Sequence, residues 1–134
     1  MSLRGALTLA IALAALLATG TVASAGTGSA AGLLPPRATL HLTIAAGISI
    51  TADTVLTCAP ASGNHPHAAV ACVELAAVAA DLDRLPVKQL VCPMVYRPVT
   101  ASAEGRWHGR GVIWSRTFSN PCIMQAATGA VFQF

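Results

Sequence analysis

From Ala38 the chain alternates strictly, with Leu40, Leu42 and Ile44 apolar and His41 and Thr43 polar between them. That period of two predicts a half-buried strand whose Leu and Ile side chains face a core. A turn at Ala46-Gly47 leads to a second strand, in which Val55 and Thr57 alternate with Thr54 and Leu56 up to Cys58. Pro60, Ser62 and Gly63 then mark a loop, and Pro66 suits the first turn of a helix running to about Ala80. The apolar positions Ala69, Cys72, Val73, Ala76 and Ala79 recur at helical spacing and are expected to lie on the sheet. Asp81 to Pro86 reads as a short turn with Leu82 and Leu85 in the core. Val99 and Thr100 begin a strand, Glu104-Gly105 turns it, and Val112 to Phe118 returns with Ile113 on the face opposite Val112 and Trp114. Ser119 or Asn120 caps a short helix that has Pro121 in its first turn and ends near Thr128-Gly129, and Ala130 to Phe134 is read as a final strand. Five strands with two helices on one face make an α+β fold, a five-stranded antiparallel sheet covered on one side.

The amino-terminal third has no such pattern. Arg4 precedes an uncharged run from Ala6 to Thr19 and the small residues Ala23-Ser24-Ala25, the layout of a secretory signal peptide over residues 1–25. The run is shorter than the ~20 apolar residues of a membrane-spanning helix, so no membrane association is expected once it is removed. Cleavage after Ala25 leaves 109 of the 134 residues, enough for one modest core. Residues 26–37, rich in Gly, Ala, Ser and Thr and stopped by Pro35-Pro36, read as a flexible arm, and residues 38–134 as the single folded domain. Loss of Arg4 takes Lys+Arg from 8 to 7 against 5 acidic residues, and without a basic cluster there is no case for a nucleic-acid partner.

Four cysteines in a small exported chain point to two disulfides, in any of three pairings. Zinc binding by the thiols with His65 and His67 is disfavoured, because no Cys-x-x-Cys pair is present; no metal or cofactor is expected. One cysteine lies in Val91-Cys92-Pro93-Met94-Val95-Tyr96-Arg97-Pro98, a short apolar run bracketed by prolines. Each proline fixes its own φ and biases Cys92 and Arg97 toward extended geometry, so the stretch is stiff and extended. Proteases bind substrates as extended strands, and a segment already in that shape has little ordering entropy left to lose.

Cys92-Pro93-Met94-Val95-Tyr96, followed by Ser119-Asn120-Pro121-Cys122, resembles the reactive loop and its support in the Streptomyces subtilisin inhibitor family. The likeness extends upstream through Cys58-Ala59-Pro60, Gly63-Asn64-His65-Pro66 and Ala71-Cys72-Val73-Glu74-Leu75, and downstream through Trp107-His108-Gly109-Arg110, Arg116 to Asn120 and Val131 to Phe134. It implies the pairs Cys58–Cys72 and Cys92–Cys122, a scissile bond at Met94–Val95, and Asn120 as the residue that hydrogen-bonds the loop, beside its plain reading as a helix cap. It also implies an extracellular inhibitor of subtilisin-like serine endopeptidases. Met94, with a flexible unbranched thioether, suits a broad apolar specificity pocket. Arg97 stands where relatives are often acidic and Pro121 where they carry Glu. The family pairs into two-fold homodimers through the outer sheet face, which here carries His41 and Thr43. If His41 lies near the axis, two facing imidazoles could not both be charged cheaply and such a dimer is expected to weaken in mild acid; off the axis, His41 is an ordinary exposed side chain. No Gly-x-Ser-x-Gly elbow, paired acidic motif or metal signature supports an enzyme. An extracellular structural or binding protein is the competing reading.

Overall fold

The computed structural model describes residues 37–134; the expected signal segment and nearly all of the expected arm lie outside the described residues. The alternation beginning at Ala38 becomes β1 (Ala38–Ala46), with Leu40, Leu42 and Ile44 buried and His41 exposed. It pairs antiparallel with β2 (Ser49–Cys58) on one side and β4 (Val99–Trp107) on the other, with a shift of register between Ile44 and Ala45. β3 (Ser62–Gly63) pairs only with Leu56 and Thr57 of β2, and β5 (Arg110–Phe118) lies outermost beyond β4, giving the order β3-β2-β1-β4-β5. The helices α1 (Ala68–Ala77) and α2 (Pro121–Thr128) cover the face that carries Leu40, Leu42, Leu56, Ala101 and Ala103. Burial of a large aliphatic or aromatic side chain is worth about 1.5–3 kcal/mol, and Leu40, Leu42, Leu56, Leu75, Val131 and Phe132 are all fully buried.

The five-stranded antiparallel sheet is present, but its fifth strand is not the carboxy-terminal segment. Gly129–Phe132 forms a 3-10 turn, and the fifth strand is the two-residue β3. The reason is local: Ala130, Val131 and Phe132 are buried in succession, which a strand with one solvent face could not achieve. The expected turn at Glu104-Gly105 is also displaced. β4 runs straight through it and the chain reverses at His108-Gly109 instead. Gly105 lies opposite Leu40 of β1, where an added Cβ would overlap the Thr39 carbonyl oxygen, so this glycine permits close strand approach rather than a turn.

The buried face of α1 differs as well. Ala71 and Leu75 are buried with Val78 just beyond the helix, whereas Ala69, Val73, Ala76 and Ala79 are exposed and only Cys72 of the expected set is half-buried. An alanine-rich helix is nearly apolar all round, and its orientation is decided by its one large side chain, Leu75, and by the Cys58–Cys72 disulfide that ties it to β2. The helix starts at Ala68 and stops at Ala77, two residues inside Pro66 and three short of Ala80. Its exit is closed by the Ala80 N–H donating to the Leu75 carbonyl at 2.8 Å, with Ala79 and Ala80 both left-handed (φ 52° and 57°). L-residues adopt that region at a cost of roughly 1–2 kcal/mol each, offset in a glycine variant by about 0.4–1 kcal/mol of extra unfolded-state entropy. Ala79 is exposed whereas Ala80 packs in the core, so Ala79→Gly alone is expected to raise the unfolding midpoint by a few degrees in a thermal melt; an unchanged or lower midpoint would count against stored strain here.

Leu82 and Leu85 are buried as expected, and the 3-10 turn Leu82–Arg84 is fastened to β5 by the Trp114 indole N–H donating to Asp83 Oδ1 at 3.0 Å. His65 is buried and satisfied, the ordinary fate of a core histidine. Its Nδ1 accepts the His67 backbone N–H at 3.0 Å, which leaves the proton on Nε2 for the Val131 carbonyl at 3.0 Å.

Candidate functional site

Between Leu85 and Val99 the chain forms neither helix nor strand, yet it is fixed at several points. At its first foot the Lys88 N–H donates to the Ala126 carbonyl of α2 at 2.7 Å, and the Lys88 ammonium lies 2.6 Å from Glu74 Oε1. The other oxygen of Glu74 accepts the Ala130 N–H at 2.7 Å, so one carboxylate of α1 joins the loop to the last turn of the chain. Four residues further on, Cys92 is bridged to Cys122 in the first turn of α2, with Cα atoms 5.6 Å apart. At the second foot the Arg97 N–H donates to the Ser119 carbonyl at 2.8 Å, and Pro98 delivers the chain into β4.

The middle of the loop rests on Asn120. Its extended backbone precedes Pro121, which forces the helix to begin there, and its Oδ1 accepts the Ile123 N–H at 2.9 Å as an N-cap. The same side chain is buried and turns its amide nitrogen outward, donating to the Pro93 carbonyl at 3.2 Å and the Val95 carbonyl at 3.0 Å. Cap and loop contact are thus two ends of one amide group. Met94, between the two held carbonyls, is fully exposed, as is Val91, and Tyr96 is largely so. The loop stands off the body over a cleft of about 300 Å³, whose floor includes Ser119, Asn120 and Ile123. A loop whose backbone is tied from beneath and whose apolar side chains point into water is ordered for contact with something else.

Of the residues singled out in the sequence, the structure brings Val91 to Pro98, Asn120 and both cysteines of the second bridge to one end of the sheet, and it leaves Cys58 and Cys72 as a separate staple between β2 and α1. The anchors at Lys88, Glu74 and Arg97 were not foreseen. They join positions far apart in sequence, and no spacing rule announces them. His41, on the outer face, has Asp53 Oδ2 3.6 Å from its Nε2 and Glu104 directly across on β4.

Residues 36–120 match the sequence model of the family described as subtilisin inhibitor-like. The chain is 43% identical over 119 residues to the subtilisin inhibitor of Streptomyces albogriseolus, covering 84% of this chain and 83% of that one. It is 42% identical to the subtilase-type protease inhibitor of Streptomyces fradiae, over 95% of this chain and 92% of the relative. Among solved structures it is similar to Streptomyces caespitosus sermetstatin, crystallised in complex with Bacillus licheniformis subtilisin: 38% identity, TM-score 0.62, with 72% of this chain and 98% of that one covered.

Proposed function

Because this chain belongs to the subtilisin inhibitor-like family, we propose that it is a secreted inhibitor of subtilisin-like serine proteases that offers Met94–Val95 as a substrate-like bond. The observation that carries this is the exposed Met94 between two carbonyls held by Asn120, with the Cys92–Cys122 bridge two residues upstream. The serine of the protease attacks the Met94 carbonyl carbon, the bond to the Val95 nitrogen breaks, and the Met94 carbonyl becomes an ester of the enzyme. In an ordinary substrate the amine then diffuses away. Here the acyl side stays tied through Cys92, and the Val95 side through the Asn120 and Arg97 hydrogen bonds. The amine remains in place to re-form the peptide bond, and hydrolysis is outpaced.

Titration of subtilisin with the purified protein tests the reading. Stoichiometric loss of activity, with the inhibitor recovered largely intact, is expected. Steady digestion, or no effect on the enzyme, would favour an extracellular binding or structural protein instead.

Export follows the segment at residues 1–25, leaving the domain at 38–134 behind the arm. Two copies are proposed to pair across the outer sheet face, where hydroxyls predominate: Thr100 with Thr117 at 2.8 Å and Ser102 with Ser115 at 2.9 Å.

The two roles of Asn120 can be separated. Asn120→Asp keeps the oxygen that caps α2 but lacks the amide protons that hold the loop, whereas Asn120→Ala loses both, with about 1 kcal/mol of helix capping gone. Because its second carboxylate oxygen would face the Pro93 and Val95 carbonyls in a buried position, the Asp variant is expected to melt below the wild type although its cap is kept, and to be cleaved on the order of tenfold faster by subtilisin, since each lost hydrogen bond is worth roughly 0.5–1.5 kcal/mol. Equal resistance of wild type and Asp variant to cleavage would remove Asn120 from the mechanism.

A further inference from the structure

We propose that the β1–β2 hairpin tip, through Ile48 and Ile50, forms a second contact surface for the target protease, on the side of the loop that follows the scissile bond. The inference rests on the reading of Met94–Val95 as the presented bond.

Ile48 is 104% exposed and Ile50 65%. Ile48 in the turn and Ile50 at the start of β2 do not serve the core, which is closed by Leu42, Ile44 and Leu56 behind them. Their position follows from register. β1 runs antiparallel to β4, with Ala45 opposite Thr100, so the carboxy-terminal end of β1 and the amino-terminal end of β4 share one end of the sheet. The reactive loop enters β4 at that end, through Arg97 and Pro98. The hairpin and the departing arm of the loop in fact share a depression of about 400 Å³, lined by Ala46, Thr51, Arg97, Pro98, Val99 and Pro121. That depression joins the base of the hairpin, at Ala46 and Thr51, to the departing arm of the loop at Arg97 and Pro98.

Size also requires more than the loop. A protease–inhibitor interface takes about 800 Å² and roughly 20–30 residues from each partner, while the loop supplies only the stretch around Val91 to Pro98. The enzyme has to cover neighbouring elements, and on the side following the bond the hairpin is the neighbour. Apolar groups at such a margin act mainly on dissociation, and the Arg97 guanidinium between loop and hairpin acts mainly on the approach.

Association and dissociation of the disulfide-bonded protein with Bacillus licheniformis subtilisin test this, comparing the wild type with the Ile48→Ser/Ile50→Ser variant and with Val73→Ser, which removes an exposed apolar side chain from α1, away from both the loop and the outer sheet face. The hairpin variant is expected to bind about tenfold or more weakly, chiefly through faster dissociation, with the cleavage position unchanged and Val73→Ser like the wild type. Dissociation constants of the hairpin variant within twofold of the wild type would overturn the proposal while leaving the loop reading intact. A change confined to self-association in sedimentation would overturn it in favour of a second copy as the occupant. If the wild type itself does not titrate subtilisin, the loop reading has failed and this inference falls with it.

Discussion

With Cys92 and Cys122 both replaced by serine, the protein is expected to dock on subtilisin, be cut between Met94 and Val95, and release the enzyme as its two fragments part. In the native chain Cys92, two residues before Met94, is covalently held to Cys122, so on the proposed mechanism the severed ends stay at a high effective concentration. Without the bridge that advantage disappears, and net hydrolysis should accelerate on the order of 100-fold. The bridge spans 30 residues, and its loss also lowers stability by roughly 3–4 kcal/mol in the chain-entropy description. The control is the Cys58→Ser/Cys72→Ser variant, whose bridge spans 14 residues and is worth about 3 kcal/mol by the same relation. It loses comparable stability but keeps the tether, so at a temperature where both variants are folded it should still inhibit. Mass spectrometry of each mixture over time decides the matter: an intact, still inhibitory Cys92/Cys122 variant would sink the tethering mechanism.

Met94→Lys should create inhibition of trypsin-like proteases where there was little. Met94 is fully exposed and its neighbours are fixed through Pro93 and Val95, so the substitution changes what is presented without disturbing how. The lysine stem still fills an apolar pocket, while its ammonium finds the buried acid of a trypsin-like one. Leaving a buried charge unpaired costs about 2–5 kcal/mol, so gaining its partner is expected to tighten trypsin binding about 100-fold or more. Inhibition constants against subtilisin should change far less. Trypsin inhibition that stays weak would place the presented bond elsewhere.

How much of this could be read in the sequence depends on what each residue has to contrast with. β1 was legible because Leu and Ile alternate with His and Thr, and the cap at Asn120-Pro121 because few residues suit those positions. The face of α1 was not, since alanine on every side leaves periodicity nothing to choose between until Leu75 and the bridge at Cys72 decide it. The terminal Ala130 to Phe134 reads as a strand because buried residues in a row, here Ala130-Val131-Phe132, look alike in any backbone. Gly105 shows the same ambiguity, as glycine marks both turns and close strand contacts. The loop was recognisable from its cysteine, prolines and family resemblance. Its fastening through Glu74, Lys88 and Ser119 was not, because hydrogen bonds between distant segments exist only once the fold has brought them together.

Among the described residues the sheet leaves two edges uncovered. β3 reaches only Leu56 and Thr57, so β2 from Ser49 to Val55 meets no outer strand among the described residues, and β5 lies outermost on the other side. Uncovered edges template pairing with another chain and, in time, aggregation. Each is blunted here. Asp53 sits midway along the first, the register shift at Ala45 bends the ribbon beside it, and on the second the Arg116 guanidinium turns toward the helix-bearing face, 3.8 Å from Asp83 and over the Phe118 ring. Docking of a further strand on either edge would have to cover these charges. The protein thus holds one exposed loop fixed in place while its charged edges discourage its own copies from adding strands to the sheet.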